Sequence, residues 1–122
     1  MTQAVFDKQD QLDRILPHLV EGEDIIACYD SRGVGTGFVG VTTKRVIIQD
    51  NSFVGGKIAI TSIPYSWINS VSMLSDKSMF GKFASSSEMH LQAGSREYTA
   101  EFRGTGKAKH IHDVVMWALL AR

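Results

Sequence analysis

Residues 86–102 read SSEMHLQAGSREYTAEF, and the periodicity of this stretch decides the fold class. Side chains of a β-strand point alternately to the two faces of a sheet. Apolar residues stand at every second position from 89 to 93 and again from 98 to 102, which indicates two half-buried strands. Gly94-Ser95 between them suits a tight turn. The stretch therefore predicts an antiparallel β-hairpin.

The chain after this hairpin predicts a helix. Apolar residues at 111, 114, 115, 118 and 119 have the spacing of one helical face, and Thr105 is the predicted N-cap. Met116, Trp117 and Leu120 lie off that face, so the helix has more apolar surface than one contact needs. Either an N-terminal helix or another subunit must cover this excess, and the sequence leaves both open.

The rest of the chain predicts more strands and one short helix. The predicted strands are 24–30, 36–41, 45–50, 57–63, 67–74, 86–93 and 96–102. An apolar stripe from Leu12 to Leu19 predicts an N-terminal helix, with Asp7 as its N-cap and Pro17 ending it near Leu16.

These elements predict a mainly β fold with helices. About seven antiparallel strands form a β-barrel or sandwich, capped by the C-terminal helix and accompanied by a short N-terminal helix. Residues 1–21 form the N-terminal helix and lead-in, and residues 22–122 form the β-barrel domain with its C-terminal helix.

Composition narrows the function classes. Thirteen basic residues balance thirteen acidic ones, which argues against a nucleic-acid partner because phosphate binding needs an excess of Lys and Arg. The single cysteine, Cys28, lies in an apolar run and is predicted to be a buried thiol. The start of the chain lacks the features of a signal peptide, and no apolar run has the roughly 20 residues that span a bilayer, so a cytoplasmic location is expected.

Four short motifs, in this order and spacing, resemble a known family. They are GEDII at 22–26, GVTTKRVII at 40–48, GGK at 55–57 and IPYSWINSV at 63–71. Together with seven strands followed by one helix, they resemble the bacterial pleckstrin-homology-like (PH-like) domain family from about residue 20 to the end. The resemblance implies a non-enzymatic binding or assembly module. Phosphoinositide-binding members of the wider superfamily have several Lys and Arg around the first hairpin, whereas residues 30–37 hold only Arg32.

Two motifs that suggest chemistry have simpler explanations. The G-x-G-x-x-G string at 35–40 leads into a predicted hairpin instead of the helix that a dinucleotide site requires. His110 and His112 stand two residues apart on a helix, so their imidazoles diverge and do not pair on a metal. No catalytic residue, metal or cofactor is predicted.

Two clusters are candidate binding surfaces. Arg103, Thr105, Lys107 and Lys109 surround a helix start, where backbone N–H groups favour an anion, and Lys77 and Lys82 add charge in a loop. In the loops, Phe53, Met79 and Phe80 join Met116, Trp117 and Leu120 as a candidate interaction surface, although loop phenylalanines also close barrel ends.

The sequence therefore predicts a non-enzymatic interaction module. Its leading partner is a protein or a second copy of itself, so a homo-oligomer is expected. The alternative is peripheral binding of anionic lipid or a phosphate-bearing ligand through the basic residues.

Overall fold

Two helices and eight strands make up the fold in a computed structural model that describes residues 4–32, 37–50, 58–74, 86–104 and 106–121. In chain order the elements are β1 (Val5–Phe6), α1 (Gln9–Ile15), β2 (Ile25–Ser31), β3 (Gly37–Thr42), β4 (Arg45–Asp50), β5 (Ala59–Pro64), β6 (Ile68–Leu74), β7 (Ser86–Ala93), β8 (Arg96–Arg103) and α2 (Lys107–Leu120). Short 3-10 turns at Leu16–His18 and Tyr65–Trp67 precede β2 and β6. The seven predicted strands and both predicted helices are confirmed, and β1 is an addition that its two residues did not signal.

The strands form two sheets. The first has the order β1-β2-β3-β4-β5 and the second β6-β7-β8, and all neighbours are antiparallel except β1 with β2. After β5 the chain turns through Tyr65–Trp67 into the second sheet, so the two sheets do not continue each other. Among the described residues, the backbone link between them is a single bridge from Arg32 to Glu101. The predicted barrel is therefore wrong in its closure, because closure needs an unbroken hydrogen-bonded ladder.

The inner faces of the sheets and α2 share one core. Its sheet residues include Val39 and Val46 from the first sheet and Leu91 and Phe102 from the second. Helix α2 adds the apolar face that the sequence predicts: Ala108, Ile111, Val114, Val115 and Ala118 are buried there. The alternation in β7 and β8 thus separates core from surface as predicted.

Helix α1 packs on the outer face of the first sheet. Leu12 and Ile15 form a second apolar cluster with Cys28, Phe38 and Ile47. Gly40 lets α1 lie close on β3, since a Cβ there would lie 2.5 Å from Ile15 Cδ1 and the Ile15 side chain would have to shift. Gly40, the last residue of the glycine string at 35–40, therefore lies within β3 beneath α1, and β3 leads into the predicted hairpin with β4.

Both predicted N-caps are wrong. The N-cap position of α1 is Lys8, and no side chain caps it. The Asp7 carboxylate instead accepts the backbone N–H of Asp30 at 2.9 Å. The N-cap of α2 is Gly106, whose φ of 88° is left-handed and suits glycine, while Thr105 lies outside the described residues. Tertiary contacts and backbone geometry outweigh side-chain capping at both positions. Helix α1 does end at Ile15, before Pro17, as predicted.

Candidate functional site

Residues from three of the four motifs that carry the family resemblance, those at 22–26, 40–48 and 63–71, lie around one buried ion pair. Arg45 Nη2 lies 2.8 Å from Glu23 Oε1, and its Nε donates to Oε2 at 2.9 Å. The Thr42 hydroxyl donates to the same carboxylate at 2.6 Å, and the Tyr65 hydroxyl donates to the Thr42 carbonyl at 2.7 Å. The Glu23 side chain has no exposed surface. These residues therefore join the entry to β2, the β3–β4 turn and the corner after β5, which is a structural role.

The environment of Glu23 holds its carboxyl group ionised. Burial alone would raise the pKa of this group, but hydrogen bonds from Arg45, Thr42 and the Val20 backbone N–H outweigh it, and the pKa falls below its ordinary 4.5. A group whose folded-state pKa is depressed stabilises the fold above its unfolded pKa and loses that contribution as the pH falls through the folded value.

We expect Glu23→Gln to change how stability depends on pH. The stability difference between wild type and Glu23→Gln should be largest above about pH 4.5 and shrink as the pH falls below it, because only the wild type takes up a proton there. Urea unfolding at pH 7 and at steps down to about pH 3.5 measures this difference. A difference that stays constant over the whole range would contradict the assigned ionisation of Glu23.

The structure describes three residues of the predicted anion site, Arg103, Lys107 and Lys109, and both lysines form ion pairs with carboxylates. Lys107 Nζ lies 3.0 Å from Asp7 Oδ2, and Lys109 pairs with Asp113 one turn along the helix. Arg103 is exposed and joins no ion pair with another described residue. Thr105, Lys77 and Lys82 lie outside the described residues. Anion or lipid binding through this set stays a prediction.

The two histidines of α2 point to different partners. His110 Nδ1 lies 2.6 Å from the Tyr29 hydroxyl, and His112 Nδ1 lies 3.1 Å from Asp113 Oδ1. Burial, with the Asp7 carboxylate as a smaller cause, raises the pKa of Tyr29. Among the residues that the structure describes, no group of three or more potential metal ligands comes together.

The Cys28 thiol is unsuited to nucleophilic chemistry. It is fully buried beneath α1, and burial together with the nearby carboxylates raises its pKa to about 12. Since the thiolate is the nucleophile, this group stays inert in the folded chain at neutral pH. The predicted buried thiol is confirmed.

The outer side of α2 is left open. Trp117 is 55% exposed and Leu120 is 75% exposed, while Met116 is partly buried. The rest of the predicted interaction surface, Phe53, Met79 and Phe80, lies outside the described residues. Because α1 packs on the outer face of the other sheet, it leaves these two side chains uncovered. The sequence left open whether the N-terminal helix or another subunit covers the excess apolar surface of α2. In the structure, the N-terminal helix α1 does not cover Trp117 or Leu120.

A cleft between the sheets is a second candidate site, and sequence reasoning missed it. It has a volume of about 380 Å³ and lies between β5 and the β7–β8 hairpin. Trp67 stands at its rim, and the guanidinium of Arg96 lies 5.3 Å from the ring centre of Tyr98. A second hollow of about 380 Å³ adjoins it and shares Thr61, Arg96 and Tyr98. Trp67 belongs to a motif that carries the family resemblance, but nothing local to the sequence connects it with Arg96.

The chain is similar in sequence to one family of domains and in fold to a solved structure. The sequence profile of a family described as "Bacterial PH domain" matches residues 19–115. No curated protein matches the chain. Among solved structures, "The hSac2 domain from human phosphoinositide phosphatase Sac2" is similar, with a TM-score of 0.55 and 12% sequence identity. The match covers 94% of this chain and 84% of that one, and at this identity it shows the fold alone. Within the described residues, no helix has the length and apolar character needed to cross a membrane.

Proposed function

Because the chain belongs to the bacterial PH domain family, we propose that it is a non-enzymatic binding module that self-associates through the outer face of α2. The non-enzymatic part is supported by the state of the single cysteine. Cys28 is buried and its pKa is raised, so it does not supply the activated thiolate that covalent catalysis by a cysteine needs.

The observation that carries self-association is the exposure of Trp117 and Leu120. Isolated apolar side chains on a surface are common, but these stand one turn apart on a helix whose opposite face is fully used in the core. Tryptophan is among the residue types most enriched in the energetic centres of protein interfaces.

A second copy of the chain is the proposed occupant of this face. The net charge is zero, so two copies do not repel each other at long range. A two-fold axis beside α2 would place Trp117 and Leu120 of both copies in one contact, which is the usual geometry of a homodimer.

The test is the mass of the protein in solution. Wild type at micromolar concentration is expected to form a dimer or larger oligomer, and Trp117→Glu is expected to be a monomer, because a buried charge without a partner opposes association. Light scattering after gel filtration and native mass spectrometry both report this mass.

Leu16→Glu is a matched control for Trp117→Glu. Leu16 is 45% exposed and lies at the end of α1, away from α2, so its charge variant should keep the wild-type mass. Far-ultraviolet circular dichroism checks that both variants are folded. A wild type that is monomeric at these concentrations, or one whose mass Trp117→Glu leaves unchanged, would contradict the proposal.

A further inference from the structure

Among the described strands, one edge of the first sheet is paired with a short strand and the other edge is unpaired. At the β2 edge, the short strand β1 pairs with Ala27 and Cys28, so the chain covers that edge itself. At the other edge, β5 pairs with β4, and no described strand pairs with its far side. An uncovered edge strand presents unpaired N–H and C=O groups to any extended chain that approaches.

The register tells which backbone groups of β5 point outward. The Tyr65 N–H donates to the Lys44 carbonyl at 3.5 Å, which makes these two a hydrogen-bonded pair. Hydrogen-bonded and non-hydrogen-bonded pairs alternate along an antiparallel ladder. Ile63 and Thr61 therefore point their backbone groups to β4, and Ile60 and Ser62 point theirs away from it. Pro64, the next outward position, offers only a carbonyl.

The outer edge of β5 lies beside two kinds of side chain: exposed isoleucines of β5 itself, and the cleft that contains Arg96. Ile58 and Ile60 are 55% and 44% exposed, whereas natural edge strands usually carry charged side chains or proline at such positions. The cleft with Trp67, Arg96 and Tyr98 opens next to Thr61–Pro64. The side chains of a strand added to β5 could therefore contact Ile58 and Ile60 and could also enter the cleft.

Arg96 supplies the charge preference. Its guanidinium lies over the Tyr98 ring, 5.3 Å from the ring centre, and no ion pair joins it to a carboxylate of the described residues. A guanidinium has five N–H donors and can hold a carboxylate through two hydrogen bonds. Asp50 and Glu97 line the adjoining hollow, so the preference for an acidic group is confined to the Arg96 end.

We propose that the outer edge of β5 binds an extended peptide segment of a partner protein. The segment adds as a strand to Ile60 and Ser62, places an Asp or Glu against Arg96, and lays an apolar side chain on Trp67. This goes beyond self-association, since its residues are not those of the proposed α2 contact, and it names a peptide ligand class.

The first experiment measures side-chain preference with a positional-scanning library of octapeptides, acetylated and amidated at their ends. Wild type is expected to select Asp or Glu at one position and an aromatic or large aliphatic residue at another. Arg96→Glu is expected to invert the charge preference to Lys or Arg, and the best acidic peptide should lose at least about ten-fold in affinity. An acidic preference that Arg96→Glu leaves unchanged, or no selection at all, would overturn the proposal.

The second experiment measures the backbone contact. Ile60→Pro removes an N–H that faces outward, so it spares the ladder with β4 but is expected to weaken the best peptide by about ten-fold. Ile60→Thr keeps the N–H and is the matched control, expected to bind within about two- to three-fold of wild type. Amide hydrogen exchange at Ile60 and Ser62 should slow when peptide binds. If Ile60→Pro fails to fold, the exchange measurement on wild type decides this point, and unchanged exchange there would overturn strand addition.

Two further arms separate this proposal from its alternatives. Vesicles of phosphatidylcholine and phosphatidylserine are the second probe. If Arg96 is needed for binding to these vesicles and no peptide is selected, the ligand is an anionic lipid surface and the peptide proposal is wrong. Trp117→Glu is run with the same library. Peptide selection by monomeric Trp117→Glu would show that the β5 site binds peptide independently of self-association. A wild type that forms dimers but selects no peptide would support self-association and contradict the β5 proposal.

Discussion

Arg45→Met is expected to lower the free energy of unfolding by about 3 kcal/mol, which is typical of removing one partner from a buried ion pair. The guanidinium makes two hydrogen bonds with Glu23, and its Nη2 also donates to the His18 carbonyl at 2.6 Å. Without it, a carboxylate with no exposed surface keeps only the Thr42 hydroxyl and the Val20 N–H as donors. Methionine fills the volume of the arginine stem, so the loss reports the charge and the hydrogen bonds more than the packing.

Urea unfolding at neutral pH measures this loss, and Arg32→Met is the matched control. Arg32 Nε lies 2.8 Å from Glu101 Oε1, but both side chains are more than 40% exposed. Exposed pairs contribute between zero and about 1 kcal/mol, so this control should change little. Equal losses in the two variants would show that the Glu23–Arg45 pair has no special weight. The double variant Glu23→Gln, Arg45→Met should recover part of the loss, since no charge is then left buried.

Ile111→Ala is expected to cost about 3 to 4 kcal/mol, within the range of large-to-small changes at fully buried sites. Ile111 has no exposed surface and lies in the core that α2 shares with both sheets. Its loss removes apolar contacts and leaves a cavity that a helix held by both sheets cannot close by a small shift.

Leu120→Ala on the same helix is the matched control for Ile111→Ala. Leu120 is 75% exposed, so its change should stay within about 0.5 kcal/mol in the monomer. Thermal unfolding of both variants at a dilution where the wild type is monomeric separates folding from association. Similar midpoints for the two variants would contradict the docking of α2 on the sheets.

The strands and α2 were predictable because their signals are local. Alternation from Met89 to Ala93 and the helical spacing from Ile111 to Leu119 depend on the backbone period within one element. The strand β1 was missed because two residues are too few to show a period.

Barrel closure was not predictable, because local signals do not tell whether two sheet edges meet. A strand pattern states that a segment pairs, and it leaves the partner of each edge undetermined. Here the chain bends out of the first sheet at Tyr65–Trp67, and β5 is left as an edge.

The candidate sites show the same division. The exposed residues of α2 were found from the sequence because a helical stripe also shows which residues lie off it. The cleft was not found, since Trp67 and Arg96 lie 29 positions apart and their common lining arises only when β5 and the β7–β8 hairpin face each other. Similarly, the carboxylates that pair with Lys107 and Arg45 come from Asp7 and Glu23, far away along the chain.

The sequence by itself determined the seven longer strands, the two helices and which of their faces are apolar, because these follow from periods of two and 3.6 residues. The apolar run around Cys28 likewise determined that this thiol is buried. Only the tertiary structure decided that α1 covers the first sheet and leaves Trp117 exposed, that Glu23 and Arg45 form a buried pair, and that no described strand pairs with the outer edge of β5. These outcomes depend on contacts between distant residues, whose geometry is set by how the sheets and helices pack and leaves no mark in any short stretch of the chain.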